Sequence, residues 1–241
     1  MGGAIVSGSL KNILQSTIYG ECEMKNVELN SMLYQRRMLG LMCALLVPSA
    51  VLFGLFGKDT NPPHWYKSVS ETFFANSNIC MIGLLFSTAV FFLSYRGYDW
   101  RDRLMAIIQA VMCLGVISFP TDTPGTPERI GLFNLTQATS TVIHNISAFT
   151  LFFCFGVNIL FLFTLSGNEM TQQKKLRNTI YRICGSGILV CLVLQLLYSL
   201  TNLFSFIPDW FPFTMINEFW ILEFFAFAWI VKSESIQYFN D

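Results

Sequence analysis

The chain has 241 residues, of which 53% are hydrophobic and 12% are charged, and its formal net charge is zero. Soluble domains carry about a quarter charged residues, so the composition excludes an ordinary soluble domain, and the balanced charge argues against nucleic-acid binding. The seven Cys form no Cys-x-x-Cys pair, which argues against a zinc finger and a disulfide framework.

Six apolar segments, each long enough to cross a bilayer, divide the chain. They run from Met38 to Phe56, Ser70 to Ser94, Leu104 to Phe119, Thr136 to Leu165, Ile183 to Phe204 and Phe211 to Val231. This pattern predicts an all-α fold, a polytopic bundle of six transmembrane helices that forms one domain over residues 36–241. Residues 1–35 are predicted to be a cytoplasmic N-terminal segment, partly helical or disordered, because they are largely polar and mixed in charge.

The cations are distributed unequally between alternate connections. Twelve of the fifteen Lys and Arg lie on one side of the predicted membrane, and three, Lys58, Lys67 and Arg129, lie on the other. Cytoplasmic loops carry an excess of Lys and Arg, so both termini are predicted to be cytoplasmic and the protein to be a multi-pass protein of a prokaryotic inner membrane. The cation-rich connection 95–103 reads YRGYDWRDR. This connection is either a solvated turn whose charges pair with one another, or a functional element that acts as a gate or contacts a partner.

Polar residues from several segments fall in the predicted outer half of the membrane. Ionisable side chains at membrane depth are costly, so each one is by default a candidate for a functional site. The candidate ligand-binding residues are Ser70, Glu71, Asn76, Asp122, His144, Asn145 and Glu218. We expect them to converge on one outward-facing polar pocket that binds a lipid or another small amphiphile.

Simpler interpretations of these residues stay open. Glu71 and Asp122 lie near the predicted interface, where water can hydrate them. His144 is equally compatible with a neutral ring bonded to a backbone carbonyl or to a carboxylate. Glu218 lies in the apolar stretch NEFWILEFFAFAW, where an unpaired carboxylate needs a partner or a proton.

Three functions fit the pattern. A non-enzymatic binding or scaffold protein, with membrane lipids as partners and no cofactor, ranks first. A metal-dependent intramembrane lipid hydrolase ranks second, with Asp122, His144 and Glu71 as candidate zinc ligands; a zinc site needs about three protein ligands. An oligomeric channel or proton-coupled transporter, built as a homo-oligomer, ranks third, since the inner halves of the segments are nearly all apolar.

Several short motifs resemble those of a family of uncharacterised prokaryotic six-helix membrane proteins. They are SVSETFF at 68–74, YRGYD at 95–99, FPTD at 119–122 and the His-containing VIHN at 142–145. The resemblance covers roughly residues 38–165. It implies a six-helix membrane fold and names no activity.

A fainter likeness runs from Ser70 to Asn78. This stretch is similar to the start of the alkaline ceramidase group of intramembrane hydrolases, in which an acidic residue precedes an aromatic-Asn-x-x-Ser-Asn stretch. That resemblance implies seven helices and a zinc ion held by three His, whereas this chain has six predicted helices and one His at membrane depth, His144.

Overall fold

A computed structural model describes residues 27, 29–49, 51–52, 66–95, 99–123, 125–165 and 171–239. Six α-helices dominate these residues: α1 (29–49), α2 (Asn78–Ser94), α3 (Trp100–Ser118), α4 (Gln137–Val157), α5 (Gln172–Leu200) and α6 (Phe213–Lys232). The smaller elements are the 3₁₀-helices Ser70–Phe74 and Gln237–Phe239, a π-helical continuation of α4 over Asn158–Leu162, and the strands β1 (Arg129–Ile130) and β2 (Leu135–Thr136). The prediction of an all-α fold is confirmed at this level.

Three helices are long and apolar enough to cross a membrane. Among the residues described, these are Gln137–Leu162, Gln172–Leu200 and Phe213–Lys232, of 26, 29 and 20 residues. The helix α2 is apolar but shorter, with 17 residues. Helix α3 carries Arg101, Asp102 and Arg103 in its first turn and is not among these three. These helices indicate a membrane protein.

Several boundaries differ from those predicted, because hydropathy marks the apolar part of a helix and not its whole length. Helix α5 begins at Gln172, within the predicted inner loop, where the Thr171 hydroxyl caps the backbone N–H of Lys174. Helix α3 begins at Trp100, since the Asp99 carboxylate accepts hydrogen bonds from two backbone N–H groups of its first turn. Residues 29–35 belong to α1. The predictions for residues 1–26 and 28 and for the loop residues 96–98 lie outside the described part of the chain.

The helices run alternately up and down, which gives the bundle two chemically different ends. At one end, called here the cation-rich end, Arg36 of α1, Lys174 of α5 and Lys232 of α6 line a single cavity. At the other, called here the Ser70 end, Ser70, His144 and Glu218 line a second cavity. The polar residues that the sequence assigns to opposite sides of a membrane are therefore separated along the bundle axis.

Aromatic rings fill the centre of the bundle between these ends. Phe92, Phe155, Phe225 and Trp229 are each almost completely buried. The rings of Phe155 and Phe225 stack with centroids 3.7 Å apart, and Phe92 meets Trp229 edge-on at 6.3 Å. Because lipid tails are as apolar as these side chains, such close packing is a main source of helix association inside a membrane.

A short hairpin fixes the chain between α3 and α4. Strands β1 and β2 pair antiparallel, with Arg129 opposite Thr136, and the turn between them uses Gly131 at φ 77°. A Cβ atom at Gly131 would lie 2.7 Å from the Ser118 carbonyl oxygen, so glycine allows the hairpin to rest on the end of α3. This positions the exit of α3 beside the start of α4.

Candidate functional site

The segment before α2 is anchored to α6 by two hydrogen bonds. The backbone N–H of Met215, in the first turn of α6, donates to the Lys67 carbonyl oxygen at 2.8 Å. The Glu218 carboxylate, one turn further along α6, accepts a hydrogen bond from the Val69 N–H at 2.7 Å. First-turn N–H groups have no partner within their own helix, so this segment satisfies one of them. Both bonds hold Ser70 in place inside the bundle.

Ser70 and His144 form a hydrogen-bonded pair at this end. The Ser70 Oγ lies 2.7 Å from His144 Nε2, and both side chains are buried. On the opposite edge of the imidazole, Nδ1 lies 2.8 Å from the Phe119 carbonyl oxygen and 3.2 Å from that of Val116. These carbonyls terminate α3 and would otherwise be short of donors.

The partners of His144 determine its protonation pattern. Carbonyl oxygens only accept hydrogen bonds, so the hydrogen that faces Phe119 is carried by Nδ1. A charged imidazolium is costly in such a buried place, which leaves Nε2 as an acceptor. We therefore infer that the ring is neutral and that the Ser70 hydroxyl donates to Nε2. Of the interpretations open from the sequence, a ring bonded to a backbone carbonyl is the one that the structure contains.

A small, mostly apolar cavity of about 40 Å³ adjoins this pair. Its polar lining includes Ser70, Thr88, His144 and Glu218, and leucines from α1, α2, α4 and α6 provide much of the rest. A water molecule needs about 10–15 Å³ of such volume, whereas drug-sized ligands occupy sites of about 300–1,000 Å³. The cavity as it stands therefore accommodates a small polar head group rather than a whole lipid.

A larger apolar groove lies outside the same end of the bundle. It measures about 400 Å³ and is lined by Val47 of α1, Val51, the turn Trp210–Pro212, and Met215, Ile216 and Phe219 of α6. Val47 and Phe219 directly follow the cavity-lining residues Leu46 and Glu218 in the chain. The groove and the cavity therefore use neighbouring residues of α1 and α6.

One face of α4 binds the backbone that leaves α3. Ser140 Oγ donates to the Pro120 carbonyl at 2.7 Å, and Gln137 Nε2 donates to the Pro127 carbonyl at 2.9 Å. Thr141 Oγ1 both accepts from the Asp122 N–H and donates to its carboxylate. No sequence motif indicates this face, although the spacing of Gln137, Ser140, Thr141 and His144 follows one helical stripe.

The remaining predicted site residues do not face the cavity. Glu71 accepts a hydrogen bond from the Lys67 N–H and is only half-buried. Asp122 is exposed and bonded to Thr141. Asn76 and Asn145 are also exposed. The structure thus brings Ser70, His144 and Glu218 together and leaves the other four outside the cavity.

The candidate zinc ligands are not arranged as a metal site. Both ring nitrogens of His144 are engaged by Ser70 and by carbonyl oxygens, and Asp122 and Glu71 make separate bonds. Within the described residues, no three His, Cys, Asp or Glu side chains are grouped so as to hold a metal ion. The donor set therefore does not fit zinc in this conformation.

The resemblances inferred from the sequence motifs stay predictions. Comparison of the chain with family models, with curated proteins and with solved structures finds no match in any of the three.

Proposed function

We propose that this chain is a six-span membrane protein, with both termini cytoplasmic, whose Ser70 end binds a lipid or other small amphiphile. The observation that carries the proposal is a buried hydroxyl and a half-buried carboxylate, those of Ser70 and Glu218, in a mostly apolar cavity. Polar groups at membrane depth are expensive and commonly mark ligand sites. The nearby apolar groove supplies a surface for a hydrocarbon chain.

The chemistry of the cavity favours a head group that donates hydrogen bonds. One oxygen of the Glu218 carboxylate accepts the hydrogen bond from the Val69 N–H. The second oxygen has further acceptor positions. A hydroxyl, amide or ammonium group matches this acceptor. The expected ligand is therefore a neutral or cationic amphiphile.

The test compares the lipids that co-purify with the full-length wild-type chain and with two variants of it. A hydrogen bond to a charged group contributes about 1.5–3 kcal/mol, so Glu218→Gln is expected to reduce enrichment of the bound amphiphile about tenfold or more. Glu223→Gln, on the same helix but outside the cavity lining, is the matched control and should leave enrichment unchanged. Mass spectrometry of extracted lipids measures both. A wild-type protein with no enriched lipid, or equal losses in the two variants, would refute the proposal.

A second function, serine-dependent acyl hydrolysis, is favoured by the Ser70–His144 hydrogen bond. In such chemistry the Ser70 Oγ would attack a carbonyl carbon while His144 Nε2 takes the hydroxyl proton and then delivers it to the leaving group. Water would then release the acyl group from Ser70. The Phe119 carbonyl fixes the ring through Nδ1, in the place where hydrolase triads use a carboxylate.

An alkyl fluorophosphonate distinguishes this second function from simple binding. If Ser70 is a nucleophile, the probe is expected to label wild-type protein on Ser70, with complete loss of labelling in Ser70→Ala. Ser68→Ala is the control, because Ser68 is two residues away and bonds to the Glu71 N–H rather than to His144. Peptide mapping identifies the labelled residue. Unlabelled wild-type protein, or labelling that persists in Ser70→Ala, would rule hydrolysis out.

A further inference from the structure

Asn145 of helix α4 carries an amide group on the outside of the bundle. Its side chain is exposed, and no residue in the described part of the chain forms a hydrogen bond with it. The preceding residue, His144, faces the interior and is bonded on both edges of its ring. The Asn145 amide therefore has two N–H donors and a carbonyl acceptor available, on a surface that faces away from the Ser70 cavity.

The position of Asn145 along its helix places this amide within the apolar layer of a membrane. The apolar helix Gln137–Leu162 has 26 residues, so it is about 39 Å long at a rise of about 1.5 Å per residue. Asn145 lies about 7 Å from the midpoint of this helix, whereas the hydrocarbon core extends about 15 Å to either side of the bilayer centre. A helix centred in the bilayer therefore exposes the amide to lipid tails.

Lipid tails do not satisfy an amide. The hydrocarbon core contains neither donors nor acceptors, so polar groups at this depth need partners from protein. Long side chains such as Lys and Arg reach back to the interface, but the side chain of Asn has only one methylene group. The natural cover of Asn145 is therefore a protein surface that offers hydrogen bonds.

Apolar side chains extend the exposed surface above and below Asn145. Val142, Phe149 and Phe153 are 57%, 38% and 47% exposed, and their spacing of three to four residues places them on the same helical face as Asn145. The rings of Phe149 and Phe153 are nearly parallel, with centroids 6.4 Å apart. These four residues are called here the Asn145 stripe. One polar residue within such a stripe is the pattern that sets register and partner number in coiled coils.

We propose that the Asn145 stripe is the interface between two copies of this chain in the membrane. Copies that are inserted in the same orientation hold Asn145 at the same depth. A two-fold axis along the membrane normal therefore brings the two amides opposite each other, as an isologous interface requires. Because an amide both donates and accepts, each Asn145 can satisfy the other.

The rest of the stripe fits the same arrangement. Van der Waals packing and interhelical hydrogen bonds drive helix association in lipid, and Phe149 and Phe153 supply exposed aromatic surface beside the amide. A second copy meets all these requirements with residues already present in this chain. The inference requires only that α4 crosses the membrane, so it is independent of what the Ser70 end binds.

The first test measures self-association of the full chain in liposomes, by energy transfer between donor-labelled and acceptor-labelled copies at decreasing protein-to-lipid ratios. We expect the wild type to dimerise and Asn145→Leu to weaken dimerisation about threefold to thirtyfold, the range for interhelical hydrogen bonds in membranes. Asn145→Gln keeps an amide and should weaken it less than Asn145→Leu.

Asn202→Leu is the matched control for this test. Asn202 is also exposed, but it follows the end of the spanning helix Gln172–Leu200, so its loss should leave dimerisation unchanged. A wild-type protein that is monomeric at every ratio would overturn the proposal. Dimerisation of Asn145→Leu as strong as that of the wild type, or equal weakening in Asn202→Leu, would also overturn it.

A photo-crosslinker identifies the surface that makes the contact. Benzoylphenylalanine in place of Phe149 is expected to give crosslinked pairs of this chain when membranes are irradiated. The same probe in place of Val190, which is 58% exposed on α5, is the control and should give none. Crosslinking from Phe149 to a different protein would overturn the assignment of a second copy as the partner. Equal pairing from both positions would show that the contact is not specific to the Asn145 stripe, which would overturn it as well.

Discussion

Replacing Phe225 by Ala is expected to lower the free energy of unfolding by about 3–5 kcal/mol. The Phe225 ring is fully buried, stacks on Phe155 at 3.7 Å and lies 5.9 Å from Trp229. Its removal leaves a cavity bounded by rigid rings, which relax little. Because packing rather than water exclusion holds helices together in lipid, the lost contacts have no substitute. Unfolding by a denaturing detergent, monitored by circular dichroism, measures the change.

Phe227 provides the control for this substitution. It lies two residues along the same helix, but 42% of its surface is exposed, so lipid or detergent already covers part of the ring. Phe227→Ala is expected to cost less than about 1 kcal/mol. A loss as large as that of Phe225→Ala would mean that α6 faces the bundle differently from the structure.

Hydropathy predicts the helices well, and their ends less well. The apolar runs that became α4 and α6 are found within a few residues of their predicted positions. By contrast, the predicted second segment is interrupted, since Ser70–Phe74 forms a 3₁₀-helix and Ala75 is extended before α2 begins. An apolar run indicates which residues are buried and does not indicate the backbone conformation. The hydropathy therefore does not predict this interruption.

The candidate site was predicted in part, because a membrane topology gives depth but not direction. Ser70 and Glu71 were placed at the same depth, yet successive residues of a 3₁₀-helix point about 120° apart. Ser70 therefore faces the cavity while Glu71 turns back to the Lys67 N–H. Asp122 follows the end of α3, where no helical periodicity predicts its orientation.

The cavity at the cation-rich end was less accessible to sequence analysis. The mixed charges near Asp99 and Asp102 suggested either a paired turn or a contact, and both remained open. Which other side chains join them depends on tertiary structure, since Arg36 and Lys232 lie 196 residues apart in the chain, yet Arg36 Nη1 approaches the Lys232 carbonyl oxygen. A single sequence contains no local pattern that brings these distant residues together.

Replacing His144 by Leu is expected to destabilise the protein by about 2–5 kcal/mol, because it leaves buried polar groups on both sides of the ring without their partner. The Phe119 carbonyl and the Ser70 hydroxyl both lose a hydrogen bond. His144→Asn separates the two contacts, since its amide nitrogen lies at about the position of Nδ1 and still donates to the carbonyl. We expect His144→Asn to recover about half of the loss.

The same unfolding assay, with Ser70→Ala as a third variant, compares how much the two hydrogen bonds of the His144 ring contribute to the free energy of unfolding. Ser70→Ala removes only the donor to Nε2, and it is expected to cost about 1–2 kcal/mol, less than His144→Leu. If the carbonyl bond is the structural one, His144→Asn will be more stable than His144→Leu, and the loss in Ser70→Ala will stay smaller than that in His144→Leu. Equal destabilisation by His144→Asn and His144→Leu would instead show that the hydrogen bond to the Phe119 carbonyl contributes little, because only His144→Asn keeps that donor.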